Sequence, residues 1–362
     1  MTTAATQDHR PPYVVALGTA GGPRWWKDPE TGQACERTGI ATAVVVDDGF
    51  YLVDCGHGVG RRLSQSGLEI SDLRGIFLTH LHSDHTVDLG SLAVFGLYEL
   101  QARLGDPVPI VGPGNRGMLP AVSPRAVVPP TPLAPDCPTP GTREMFEQLM
   151  RAHATDLNDR IIDSLRPSPM DLFEARDIVV PEGIGYHPND NPTPDMEPFV
   201  VHEDEAVTVS AILVEHPPMA PAFGFRFETA AGSVTFSGDT AFTPNMIRLA
   251  RGTDLLLHEA IDFDYIERLY GGRPDEVSRA SRDHHHKSHT SVRDAARVAQ
   301  EAGARRLALH HLVPGTATDR TWEEAAAHFD GIFHLPADLD VIEFGRDAAT
   351  SAGTAAPEQA AR

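Results

Sequence analysis

The chain has 362 residues, with 30 basic against 51 acidic side chains and a formal charge of −21. Hydrophobic residues make up 41%, too many for a disordered chain, and no apolar run approaches the ~20 residues of a membrane span. A surface this acidic argues against duplex nucleic acid, because phosphate binding draws on Lys and Arg; Lys27 and Lys287 are the only lysines.

Val14 to Leu17 is an apolar run that ends in the glycine-rich turn Gly18-Thr19-Ala20-Gly21-Gly22-Pro23. Residues 41–46 and 50–53 flank Asp47-Asp48-Gly49, and Asp-Gly between two apolar runs predicts a β-hairpin. Residues 75–79 read as another short strand, and 86–104 follow helical spacing through Leu89, Leu92, Val94, Leu97 and Leu100. From 117 to 198 prolines cluster around a helix-like stretch, 142–165, with Met145, Leu149, Leu157, Ile161 and Leu165 as packing candidates. A long segment of this kind is an elaboration on a core fold: a lid, an arm or a contact between copies in a homodimer. Strands are predicted again at 207–214, 223–227, 233–236, 253–257, 307–309 and 341–344, and helices at 291–302 and 321–329. One domain over 12–346 follows, with a tail, 347–362, rich in small residues and expected to be disordered. Cys35, Cys55 and Cys137 are too scattered for a disulfide framework or a thiolate zinc cluster. The N-terminus has no apolar signal region, so a cytoplasmic location is expected.

The informative run is Thr79-His80-Leu81-His82-Ser83-Asp84-His85, between an apolar strand and a predicted helix. Four metal-ligating side chains on one strand-to-helix loop can serve two adjacent cations, and imidazole with carboxylate suits Zn²⁺ and similar ions. His216, Asp239 and His311 also sit at strand ends. There they can gather with the first motif on one edge of a sheet sandwich.

Through the HxHxDH pattern at 80–85 the chain resembles the metallo-β-lactamase superfamily. Val53-Asp54-Cys55-Gly56, Glu215-His216, Phe236-Ser237-Gly238-Asp239-Thr240, His258-Glu259-Ala260, Ser288-His289-Thr290-Ser291 and His311-Leu312-Val313-Pro314 follow in order. Within the superfamily they resemble the branch of tRNase Z and the arylsulfatase-like hydrolases. The resemblance implies an α/β fold, a four-layer αββα sandwich, with two divalent cations at one edge, zinc first and manganese or iron as alternatives. It places His80, His82 and His216 on one cation, Asp84, His85 and His311 on the other, and Asp239 between them. Two cations roughly 3.5–4 Å apart can share a hydroxide and clamp the substrate's oxygens. Asp54 falls where the family has an acid near the first motif. Asp84 and His289 would be catalytic, His289 by giving a proton to the leaving group, with His258 and Glu259 orienting it. His284, His285 and His286 read as a polar loop. His310 reads as structural, because strand alternation points it away from its neighbour's side.

Transfer-RNA-processing members carry a flexible, glycine-rich and basic arm before the bridging aspartate. Here residues 227–233 cross that gap with no room for one. With the acidic charge, this makes a small-molecule ester the expected substrate: a sulfate ester, phosphodiester or lactone, with no nucleic acid and no membrane. A tRNase Z-like endoribonuclease and a non-catalytic metal-binding scaffold are the alternatives. Trp25, Trp26, Tyr186, Phe223, Tyr265 and Tyr270 are candidates for an apolar pocket.

Overall fold

The first half of the chain builds one sheet and the second half another in the computed structural model, which describes residues 11–101 and 106–345. The first sheet lays β1 (Tyr13–Gly18), β2 (Ala41–Val46), β3 (Gly49–Val53), β4 (Leu73–Phe77), β5 (Val108–Pro113) and β6 (Phe173–Ile178) side by side in chain order. The second does the same with β7 (Phe199–Glu203), β8 (Thr208–Leu213), β9 (Phe223–Glu228), β10 (Ser233–Phe236), β11 (Leu255–Ile261), β12 (Arg306–Val313) and β13 (Ile332–His334). β14 (Val341–Glu343) returns to pair antiparallel with β1. Each sheet begins antiparallel and turns parallel, at β3 in the first and at β10 in the second. The parallel strands matter for function, because their carboxyl ends all open on one edge.

Strand periodicity explains the layering. Successive side chains point to opposite faces, so Val14, Val44 and Val53 join the core between the sheets while Val15, Val45 and Leu52 pack on the other side. Phe77 from the first sheet meets Phe227 from the second edge-on at 5.1 Å. Helices Val59–Ser66, Leu89–Leu100 and Thr142–Ala152 cover the first sheet through Leu63, Leu97 and Phe146. Helix Val292–Ala302 covers the second through Ala295, Val298 and Ala299. The result is the four-layer αββα sandwich. The expected hairpin is present, with Val46 paired to Gly49 and the turn carried by Asp47 at φ 55°, a conformation that Asp tolerates better than most residues. Among the described residues no helix is long and apolar enough to cross a membrane.

Several segments differ from the pattern read in the sequence, among them the strands β5, β6, β7 and β13, which the sequence pattern leaves out. The stretch 142–165 is two helices, Thr142–Ala152 and Ala154–Ile162, broken at His153. Residues 86–104 give the helix Leu89–Leu100, preceded by a single turn at Ser83–Thr86, and 102–105 are outside the described residues, as is the tail 347–362. Residues 284–286, read as a polar loop, end the second of two helices, Phe263–Tyr270 and Glu276–Ser288, started by the side chains of Asp262 and Asp275 accepting from the amides of Tyr265 and Ser278. The second of these buries only Ser278 and Ser288, so no apolar stripe announces it. Residues 118–140 contain no helix or strand, and Arg125 ties them to this helix through Glu276 and Asp283 at 3.3 and 2.8 Å.

Candidate metal centre

Seven side chains converge at the carboxyl edge of the two sheets and fall into two overlapping groups. His80, His82, His216 and Asp239 form one, and Asp84, His85, Asp239 and His311 the other; within each group the ligand atoms all lie within 4.8 Å of one another. Asp239 belongs to both. His82 Nδ1 lies 3.0 Å from His80 Nε2 and 3.1 Å from His216 Nε2. Burial holds His80 and His216 well below the usual histidine range, and the neighbouring imidazoles add to the effect. Both rings bring Nε2 to the same atom, His82 Nδ1. In the second group His311 Nε2 sits 3.3 Å from both Asp84 Oδ2 and Asp239 Oδ2, and His85 Nε2 sits 3.4 Å from Asp239 Oδ1. Burial alone would raise Asp84 and Asp239; the surrounding histidines hold both well below the carboxylate range instead. His85 Nε2 and Asp239 Oδ1 are buried without a hydrogen-bond partner. Uncompensated polar atoms of this kind are costly in a fold that serves nothing else, and this donor set fits a pair of borderline divalent cations.

The surroundings fix these rings. Asp54 Oδ2 accepts from His85 Nδ1 at 2.8 Å, and Asp54 Oδ1 accepts from the Thr79 amide at 2.8 Å. That leaves His85 Nε2 for a cation, the carboxylate–imidazole arrangement common around metals. The Ser288 carbonyl faces His216 Nδ1 at 2.8 Å in the same way. Asp54 at φ 63° and His311 at φ 49° both hold left-handed backbone, a conformation that costs about 1–3 kcal/mol for a residue with a Cβ. At His311 it coincides with a register shift in the β11–β12 pairing: Glu259 faces His310, but Ala260 faces Leu312. A bulge of this kind re-aims a side chain, which is how His311 reaches Asp84. His310 lies instead beside Phe236, with burial pushing it down to about 3.

Gly21 lies against this bulge. A Cβ there would stand 2.4 Å from His311 Nδ1, so no side chain fits while His311 keeps its place. Gly21→Ala should weaken metal binding roughly 10–100-fold, the effect typical of disturbing a ligand's support. Competition against a chelator measures it; unchanged affinity would contradict the placement of His311.

Glu259, rather than the pair expected, meets His289: His289 Nδ1 lies 2.9 Å from Glu259 Oε1, which also accepts from the Thr240 amide at 2.8 Å. His258 turns back, with Nδ1 2.8 Å from the Glu259 carbonyl, and does not touch His289. Burial lowers His289, opposed by Asp239 and Asp84. With Nδ1 engaged, Nε2 is the nitrogen left for a substrate. The histidine run ending the helix Glu276–Ser288 divides. His284 and His285 line the same cavity as Asp84, Asp239 and His311, His284 with its ring 6.3 Å from His216 and its pKa pushed by burial down to about 3. His286 turns away, stacked on Phe263 at 4.6 Å.

Cavities among the described residues flank the centre. One, of about 290 Å³, is lined by Asp84, Asp239, His289 and His311 on one side and by Trp26, Tyr265 and Tyr270 on the other. The second, of about 370 Å³, runs from His82 to Arg116, Pro138, Met145 and Pro221. Arg116 donates to the carbonyls of Pro218 and Pro188 and to Asn189 Oδ1 and pairs with no carboxylate among the described residues. Of the other aromatic candidates, Phe223 is wholly buried in the main core, Tyr186 packs at that core's margin, and Trp25 is 83% exposed.

Comparison with known proteins agrees with this geometry. The profile of the β-lactamase superfamily domain matches residues 164–312, and that of the anti-Pycsar protein Apyc1 matches 31–105. A ribonuclease Z of Mycobacterium bovis strain BCG is 30% identical over 314 residues, 85% of this chain and 92% of that protein. The chain belongs to the metallo-β-lactamase superfamily, in its ribonuclease Z branch. A ribonuclease Z of Mycobacterium sp. strain KMS is 31% identical over 315 residues, covering 85% of this chain and 90% of the relative. Among solved structures, the short form of human tRNase Z superposes with a TM-score of 0.59 at 19% identity, covering 92% of this chain and all of that one, which shows the shared fold. The protein is thus a metal-dependent hydrolase of this superfamily.

Two expectations are corrected here. The relatives place the chain on the ribonuclease Z side of the branch, not the arylsulfatase-like side. They also overturn the small-molecule substrate and the exclusion of nucleic acid, since proteins named ribonuclease Z align with most of the chain. The physical reason is that net charge sums over the whole surface, whereas a phosphodiester is met locally. Arg24 and Arg116 each line a cavity beside the centre.

Proposed function

We propose that this protein is a ribonuclease, a metal-dependent phosphodiesterase that cleaves RNA. The observation that supports the reading is the match to ribonuclease Z relatives over 85% of the chain, on a sequence that keeps both overlapping groups. His80, His82 and His216 would hold one cation, Asp84, His85 and His311 the other, and Asp239 both. Five imidazoles and two carboxylates favour zinc over harder, oxygen-seeking cations. Bound there, a pair of divalent ions supplies Lewis acidity toward a phosphoryl oxygen and lowers the pKa of water.

The chain's own residues do the rest. Asp54 orients His85, and the Ser288 carbonyl orients His216, so that neither ligand has to be ordered when substrate arrives. Asp84, held by the Gly22 amide at 3.0 Å, lines the cavity where the attacked phosphate would sit and can accept a hydrogen bond from the attacking water. His289 lines the same cavity, with Glu259 holding its Nδ1. From Nε2 it gives a proton to the departing oxygen; burial makes it a stronger acid than an exposed histidine. The stretch 117–198, with Arg116 before it, walls the second cavity and would limit which strands can enter.

The test is a labelled RNA hairpin with an unpaired 3′ extension, incubated with metal-loaded protein and with the chelated form. Cleavage confined to the loaded protein and lost in Asp239→Ala supports the reading. An intact RNA with loaded, folded protein would overturn it.

A further inference from the structure

The wall opposite the metal-ligating side chains is chemically distinct and is not used by the steps above. Trp26, Tyr265 and Tyr270 stand there half-buried on a small apolar cluster of Ile261, Ile266 and Val313, separate from both main cores. The rings of Trp26 and Tyr265 meet at 6.1 Å and 67°. Trp26 is fixed in place, its Nε1 donating to the Gly21 carbonyl at 2.9 Å, so the residue packed against His311 also anchors this indole. Arg24 completes the wall. Its guanidinium lies 5.6 Å from the Trp26 ring and donates to the Tyr270 hydroxyl at 3.2 Å, and it has no carboxylate partner among the described residues. The Tyr265 hydroxyl has no hydrogen-bond partner there either.

Two aromatic rings set at 67°, a guanidinium with no carboxylate partner among the described residues and an unused hydroxyl, all lining a cavity shared with Asp84, Asp239 and His311, match one ligand chemistry. A nucleobase offers a π-face for the rings and edge acceptors for the guanidinium, and the phosphate joined to it would reach the cations. An aliphatic group would use the rings but leave Arg24 unanswered. We propose that Trp26, Tyr265 and Arg24 seat one unpaired nucleobase of the substrate, that of a nucleotide next to the scissile phosphate. The inference deepens the ribonuclease reading and rests on it for the identity of the strand. Stacking tolerates any base, so the seat would fix position along the strand rather than sequence.

Calorimetric titration of the metal-loaded protein with uridine and adenosine 5′-monophosphates, against ribose 5-phosphate, tests this without requiring turnover. The three ligands share sugar and phosphate and differ in the base. Both nucleotides should bind roughly 5–150-fold more tightly than ribose 5-phosphate, the range a single stacking contact supplies. Tyr265→Leu should erase most of that preference and leave ribose 5-phosphate affinity unchanged, while Tyr265→Phe should keep it. Arg24→Ala, on an exposed loop and safe for the fold, should lower nucleotide affinity roughly tenfold. Equal binding of nucleotide and ribose 5-phosphate by the wild type, or a preference that survives both Tyr265→Leu and Arg24→Ala, overturns the seat. A protein that keeps the nucleotide preference yet cleaves no RNA would sink the ribonuclease reading and leave the seat standing. One that cleaves RNA with no nucleotide preference would sink the seat alone.

Discussion

Asp239→Ala should lose activity far beyond the effect of His258→Ala, and should lose metal with it. Asp239 is the one residue common to both groups, with His80, His85, His216 and His311 all within 4 Å of its carboxylate. Removing it would take a donor from each group and leave His80 and His216 without the carboxylate that faces them, with Asp84 still beside His85 and His311. His258 contributes differently. It is wholly buried, its Nδ1 is engaged by the Glu259 carbonyl, and it touches none of the seven. Its loss disturbs Glu259 and, through it, His289, an indirect effect of the size seen for supporting residues, ~10–100-fold. The comparison is made per folded molecule, with metal content measured alongside activity. Equal losses with metal retained in both variants would refute the sharing of Asp239.

The second large effect concerns His289. If Nε2 gives its proton to the leaving group, His289→Ala should slow substrates that depart as alkoxides by roughly 10²–10⁴-fold and spare those that depart as nitrophenolate. An RNA and a nucleotide 4-nitrophenyl ester make that pair. The metals should stay bound, because His289 is outside both groups. A uniform loss on the two substrates would assign His289 to shaping the site or holding substrate.

The sequence carried much of the centre because its signal there is local. His80, His82, Asp84 and His85 lie within one strand-to-helix loop, so their spacing alone brings them together. The strands were legible for the same reason, as short apolar runs bounded by Gly, Pro and Asp. What stayed hidden depends on contacts distant in the chain. The bulge that turns His311 into the site is a register shift between β11 and β12, and alternation along one strand cannot reveal it. That Glu259 and not His258 meets His289 depends on which way β11 faces. The helix Glu276–Ser288 shows no apolar stripe, because its work is polar: Ser288 supports His216, and His284 and His285 line the cavity. Trp26, Tyr265 and Tyr270 were visible as aromatic residues but not as one wall, since 238 residues lie between Trp26 and Tyr265. The substrate was misread because net charge describes the whole surface and not the site.

The most direct test titrates metal into chelator-stripped protein and follows cleavage of the hairpin RNA as a function of metal equivalents per chain. Two overlapping groups of ligands predict that cleavage rises until two equivalents are bound and then levels off. A plateau at one equivalent, or no cleavage of RNA at any loading, would contradict a paired-metal ribonuclease.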